Sequence, residues 1–192
     1  MSVIFQSLGR TIAAGFAIAA ILFALFSGVG MSHQWGVFAM KWLHVLCGIL
    51  WIGLLYYFNF VQIPSMSKIP DEQKPAIGKV IAPTALFYFR WAALATLVTG
   101  ALVAGASGYL AQALMLQRPF LAIGIGMWLG IIMAFNVWFI IWPNQKKALG
   151  IVVVEAAEKA KAARMAMLTS RFNTMFSIPM LYMMVAQQNG GL

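Results

Sequence analysis

Long apolar runs without the two-residue alternation of a half-buried strand dominate the chain, at 11–30, 37–61, 86–108 and 119–142, and a shorter run follows at 172–188. As a helix, a run of about twenty residues crosses about 30 Å of hydrocarbon. The pattern therefore predicts an all-α, polytopic membrane bundle of about five transmembrane helices, a four-helix core plus an N-terminal helix, in a single domain over 1–192. Pro64, Pro70, Pro75 and Pro83 punctuate the second connection, and Arg118-Pro119 and Trp142-Pro143 bracket the fourth run. Between the last two runs, 151–171 contains EAAEKAKAARMAM. Its Ala, Glu and Lys content and the Glu155/Lys159 pair predict one amphipathic cytoplasmic helix, outside the bilayer or along its surface.

Composition removes the main rival to this reading. The 192 residues are 62% hydrophobic and 9% charged, with a mean hydropathy of +0.87, so they hold too little polar surface to cover a water-soluble core. The net charge of +9 would suggest nucleic acid in a soluble protein. Here the charges flank apolar runs, and they read instead as topology signals and contacts to lipid headgroups, with no nucleic-acid partner. Every Lys and Arg except Lys41 and Arg118 falls on the side of the N-terminus, which places that terminus in the cytoplasm and the C-terminus in the periplasm of a bacterial inner membrane. Arg10 ahead of an apolar stretch imitates a signal peptide, but 11–30 is long enough to span and is expected to be retained.

Chemistry is sparse. Cys47 is the single cysteine, so an intramolecular disulfide, a multi-cysteine metal site and a covalent CxxCH haem are excluded within these residues. Asp71, Glu72, Glu155 and Glu158 all lie outside the apolar runs, which leaves no acid/base pair for hydrolysis and no buried carboxylate for proton pumping. No phosphate-binding glycine loop, zinc motif or serine elbow is present. His44 sits about two turns inside the outer boundary of the second run, with Gly48 one turn deeper on the same face. Imidazole in a helical bundle is a common axial ligand of b-type haem, and a glycine at i+4 leaves room for a porphyrin; the competing role is a hydrogen bond to a neighbouring helix. His33 is placed in the outer loop, so a second axial ligand would have to be a methionine such as Met127, Met180, Met183 or Met184, or come from another subunit. The stripes Gly100, Ala104, Gly108 and Gly126-x3-Gly130 offer either close helix contact or space for a flat cofactor.

At the other membrane face FNF, FNV and FNT recur, bringing Asn59, Asn136 and Asn173 to the depth of Arg90. This group reads as a polar site for an anionic substrate or haem propionate, or as anchoring to lipid headgroups. His44 and Asn59 are separated by about 22 Å along one helix, so a single porphyrin cannot touch both.

The stretches WLHVLCGILWIGLLYYFNFVQIP, RWAALATLVTG, FNVWFIIWPNQKKALG and MLTSRFNTMFSIPMLYMM together resemble the N-terminal membrane domain of the bacterial cytochrome-c-linked urate oxidases, over roughly Trp42 to Met184. The pattern His44-x3-Gly48-x2-Trp51 is more distantly similar to membrane protoporphyrinogen oxidase and copper-resistance D type bundles. The first resemblance implies a redox protein that delivers electrons outward; the second implies haem b on the histidine matching His44. In the urate oxidases a cytochrome c domain follows the membrane domain, and these 192 residues contain none. The expectation is an integral membrane redox or accessory subunit of a larger respiratory or oxidase complex, exchanging electrons with a periplasmic cytochrome c. The alternatives are a non-catalytic structural subunit of a membrane complex or homo-oligomer, and a urate or purine oxidase working with a separate cytochrome c.

Overall fold

A computed structural model describes residues 2–26 and 32–190 and contains helices and no strand among them. After a turn at Ser2–Phe5, the long elements are α1 (Leu8–Phe26), α2 (His33–Ser65), α3 (Lys74–Ala106), the short α4 (Leu110–Leu114), α5 (Leu121–Ala148) and α6 (Ala156–Asn189). α1, α2, α3 and α5 are long and apolar enough to cross a membrane. The end of the predicted first span, 27–30, lies outside the described residues. α6 is long enough as well, but Asn173, Ser177, Pro179 and Gln187 make its second half too polar to join that set among the described residues.

Residues 1–38 and 39–192 form separate compact units. In the first, Thr11 Oγ1 donates to the Ile4 carbonyl at 3.1 Å and the Phe23 and Trp35 rings meet at 5.1 Å, while no residue of α1 is buried. In the second, Trp51, Leu55 and Phe58 of α2 pack with Leu86, Phe89 and Ala93 of α3, Met133, Val137 and Ile141 of α5 and Met180 of α6. Alanine and glycine are common among the buried residues, including Ala92, Ala104, Ala122, Ala134, Ala166, Gly126 and Gly130. Phe87, Trp91, Leu102, Ile132, Phe139 and Ile178 face outward. Small residues among the large ones inside let the helices pack closely, and the bulky apolar side chains outside suit a lipid surround.

Two boundaries differ from expectation. The predicted cytoplasmic helix at 151–171 and the span at 172–188 are one continuous helix, Ala156–Asn189, while Ile151–Glu155 precedes it outside helix. Good helix formers run to Leu168, and Thr169 and Ser170 continue in helix with no glycine or proline at the junction to stop it, so the break inferred from the change in polarity does not occur. The prolines are the second case. α2, α3 and α5 run through Pro64, Pro83 and Pro143, and each widens into a π segment just before its proline, at Tyr57–Gln62, Ile77–Ile81 and Asn136–Ile141. Proline collides with the carbonyl of residue i−4, here Phe60, Lys79 or Phe139, and the wider turn relieves that collision without ending the helix.

Candidate functional site

One polar site is built where α2 meets α3. His44 Nδ1 lies 3.0 Å from the Thr96 carbonyl and 3.2 Å from Thr99 Oγ1. A carbonyl only accepts, so Nδ1 carries the proton, and in the neutral ring Nε2 keeps its lone pair. Thr99 gives its own proton to the Ala95 carbonyl at 2.7 Å. Gly100 leaves the ring its place, since a Cβ there would stand 2.9 Å from Cε1. Gly48 faces the Thr96 methyl, where a Cβ would make ordinary contact at 4.0 Å. It is Gly100, rather than Gly48, whose missing side chain the histidine requires. His33, expected in a loop, is the first residue of α2.

The stripe on α5 has a different role from clearing cofactor space. A Cβ on Gly126 would come within 3.2 Å of the Met184 methyl, and one on Gly130 within 3.6 Å of the Met180 sulfur. Methionines of α6 fill that groove, so these glycines pack α5 against α6 within the chain.

The inner polar residues separate into two hydrogen-bonded groups and one isolated charge. Asn136 Nδ2 donates to Asn173 Oδ1 at 2.8 Å, and Asn173 Nδ2 donates to the Met133 carbonyl at 2.9 Å. Asn59 Nδ2 donates to the Leu55 carbonyl at 2.9 Å and to Ser170 Oγ at 2.8 Å. Each of these carbonyls lies a few residues before a π segment, where the α-helical ladder changes register, so the asparagines serve acceptors at the transition. The FN recurrence thus has a structural cause. Tyr56 OH and Ser177 Oγ, 3.0 Å apart, extend the network; Ser177 donates to the Thr174 carbonyl, so Tyr56 is the donor.

Arg90 joins neither group. Its side chain is buried, no hydrogen bond or ion pair reaches it among the described residues, and its guanidinium lies over the Trp142 ring at 3.4 Å from Cζ to the centroid. Trp142 is the partner that sequence reasoning missed. Arg90 and Trp142 lie on different helices, and in the sequence Trp142 marks only the boundary of the fourth run at Trp142-Pro143.

Beside the asparagines, a cavity of about 220 Å³ opens between the inner parts of α2, α3, α5 and α6. Its walls are mainly apolar, with Phe58, Leu86, Phe89 and Met167 among them, and Gln62, Gln145 and Ser170 supply the polar groups. Gln62 Oε1 and Asn59 Oδ1 are buried and accept no bond. The amide of Asn59 cannot be turned round, because only its nitrogen can donate to the Leu55 carbonyl. Among the described residues no group of His, Cys, Asp or Glu able to hold a metal ion comes together; His44 stands as a single protein donor.

Residues 101–190 match the family model described as urate oxidase N-terminal. The resemblance to that family's N-terminal domain is therefore shown over α4, α5, α6 and the end of α3. No curated protein and no solved structure matches the chain.

Proposed function

We propose that this chain, related through residues 101–190 to the urate oxidase N-terminal family, is an integral inner-membrane subunit of a larger bacterial oxidase assembly, with its N-terminus in the cytoplasm and its C-terminus in the periplasm. The observation that carries the reading is the exposed surface: large apolar residues cover α1, α2 and α3 on their outward faces. Water would pay heavily to solvate that surface, and lipid does not.

His44 is the residue suited to an axial position on a b-type haem. Its Nδ1–H is held by the Thr96 carbonyl, the arrangement by which iron- and zinc-binding imidazoles are usually oriented, and no hydrogen bond reaches Nε2 among the described residues. Thr96 and Gly100 set the ring's orientation, and the hydrogen bond strengthens the basicity of the free nitrogen. Haem bound there would relay single electrons between a donor in the assembly and a periplasmic cytochrome c. Met180 and Met184 pack against Gly130 and Gly126, so a further ligand to such a haem would be sought elsewhere, in a partner subunit or a second copy.

The test is a reduced-minus-oxidised spectrum with a pyridine haemochrome assay on gently purified protein, beside His44→Ala. A b-type band that the substitution removes supports the electron-transfer role. A flat spectrum from folded protein supplied with haem during expression contradicts it and favours a structural subunit. The family match favours a second reading, a urate or related purine oxidase using a separate cytochrome c. Urate-dependent reduction of added cytochrome c would establish it, and its failure with every purine tried would remove it.

A further inference from the structure

The 220 Å³ cavity beside the asparagines is lined by no charged side chain. Phe58 and Gln62 reach it from the π segment of α2, one turn apart on the same face, and Ile141 reaches it from the π segment of α5. The Phe58 ring meets that of Phe89 edge to face at 5.7 Å between centroids, so two aromatic rings stand in the wall, with Leu86 and Met167. Helices elsewhere in the bundle pack against one another; here the lining side chains lack neighbours on one side, and a ligand would supply them.

Two hydrogen-bonding capacities on this wall are unused. Gln62 Oε1 is enclosed and accepts no bond. Ser170 Oγ accepts from Asn59 at 2.8 Å and gives its own proton to no acceptor among the described residues. Asn59, three positions before Gln62, bonds to Ser170 and so ties the two residues to one end of the cavity. The last torsion of a glutamine side chain is broad, which lets the Gln62 amide turn to meet a ligand at small cost. Buried polar groups are ordinarily paired, and an acceptor and a donor share this apolar wall without partners for those capacities.

We infer that the cavity binds a neutral aromatic hydroxyl compound, a phenol or the head of a quinol. Its hydroxyl donates to Gln62 Oε1, its oxygen accepts from Ser170, and its ring lies among Phe58, Phe89 and Met167. A cavity of about 150 Å³ holds benzene, so this one has room for a single substituted ring and none for a porphyrin. A charged ligand would lose its hydration against walls that carry no charge to replace it. A purine would bury more polar edges than Gln62, Gln145 and Ser170 can pair. The assignment is therefore independent of haem at His44 and of the purine-oxidase reading.

The direct experiment follows 4-fluorophenol by fluorine NMR with the whole protein in nanodiscs of zwitterionic lipid, against empty nanodiscs that correct for partition into the bilayer. The protein should produce a saturable shift that p-cresol reverses. The methyl ether 4-methylanisole, which keeps the ring and lacks the donor, should compete at least about tenfold less well, and urate should not compete. Gln62→Leu should weaken binding by about tenfold and Ser170→Ala severalfold. Ala163 lies exposed at the cavity's edge, so Ala163→Phe should fill the space and abolish binding while the protein stays folded. At equal concentration in the lipid, stronger competition by a reduced decyl-chain quinol than by p-cresol identifies a quinol from the bilayer, and the reverse order identifies a soluble phenol. No saturable shift beyond that of empty nanodiscs overturns the site. Equal competition by 4-methylanisole overturns recognition of the hydroxyl, equal competition by urate overturns the ligand class, and unchanged binding in folded Ala163→Phe overturns the location.

Discussion

Asn136, Asn173 and Arg90 lie in the same part of one bundle, yet the two amides are bonded to each other and to the backbone, whereas the guanidinium meets no acceptor among the described residues. Asn173 is 0% exposed, accepts from Asn136 and donates to Met133, so both ends of its amide are in use. Arg90 is nearly as buried and has an aromatic face for company but no acceptor. Depth and polarity alone therefore do not separate the two; unused bonding capacity does, at Arg90 as at Asn59 Oδ1, and substitution decides what each contributes. By the same measure His44 is intermediate, with Nδ1 engaged by α3 and Nε2 left over.

Substitutions sharpen this contrast. The largest loss of stability is expected for Asn173→Leu, which strands the Asn136 amide and removes the side-chain donor from the Met133 carbonyl. The cost should be about 2 kcal/mol, read from unfolding in detergent or nanodiscs. Gly100→Ala comes next. Its new methyl would press on the His44 ring at 2.9 Å, and a loss of about 1 kcal/mol is expected as the imidazole shifts, together with an altered spectrum of any haem it binds. The smallest effect belongs to a charge pair at the surface. The Lys74 ammonium, hydrogen-bonded to Asp71, holds that carboxyl below its usual range. A carboxyl depressed in the folded state contributes stability above its unfolded pKa and loses it as the pH falls through the folded value. Because Asp71 is fully exposed, Asp71→Asn should leave the unfolding midpoint at neutral pH unchanged, and any difference from the parent should vanish in acid.

The apolar runs made the long helices legible, because helix is the spanning form that satisfies its own backbone in lipid. The shared depth of Asn59, Asn136 and Asn173 could also be read, but not their partners, which depend on how α2, α5 and α6 face one another. Pro64, Pro83 and Pro143 misled because a proline signals a broken α-helical ladder, and such a break is relieved as well by one wide turn as by ending the helix. Trp142 was hidden for another reason. Nothing local to WPNQKK indicates that its ring lies against an arginine more than fifty residues earlier in the chain.

The most direct test of whether Arg90, unlike Asn173, leaves the fold unsupported is the unfolding midpoint of Arg90→Met in zwitterionic nanodiscs. The stacking lost from Trp142 is worth up to about 2 kcal/mol, whereas an uncompensated buried charge costs several. The account therefore predicts a midpoint equal to or above that of the parent, and a fall as large as that of Asn173→Leu would contradict it by showing that Arg90 holds the bundle together.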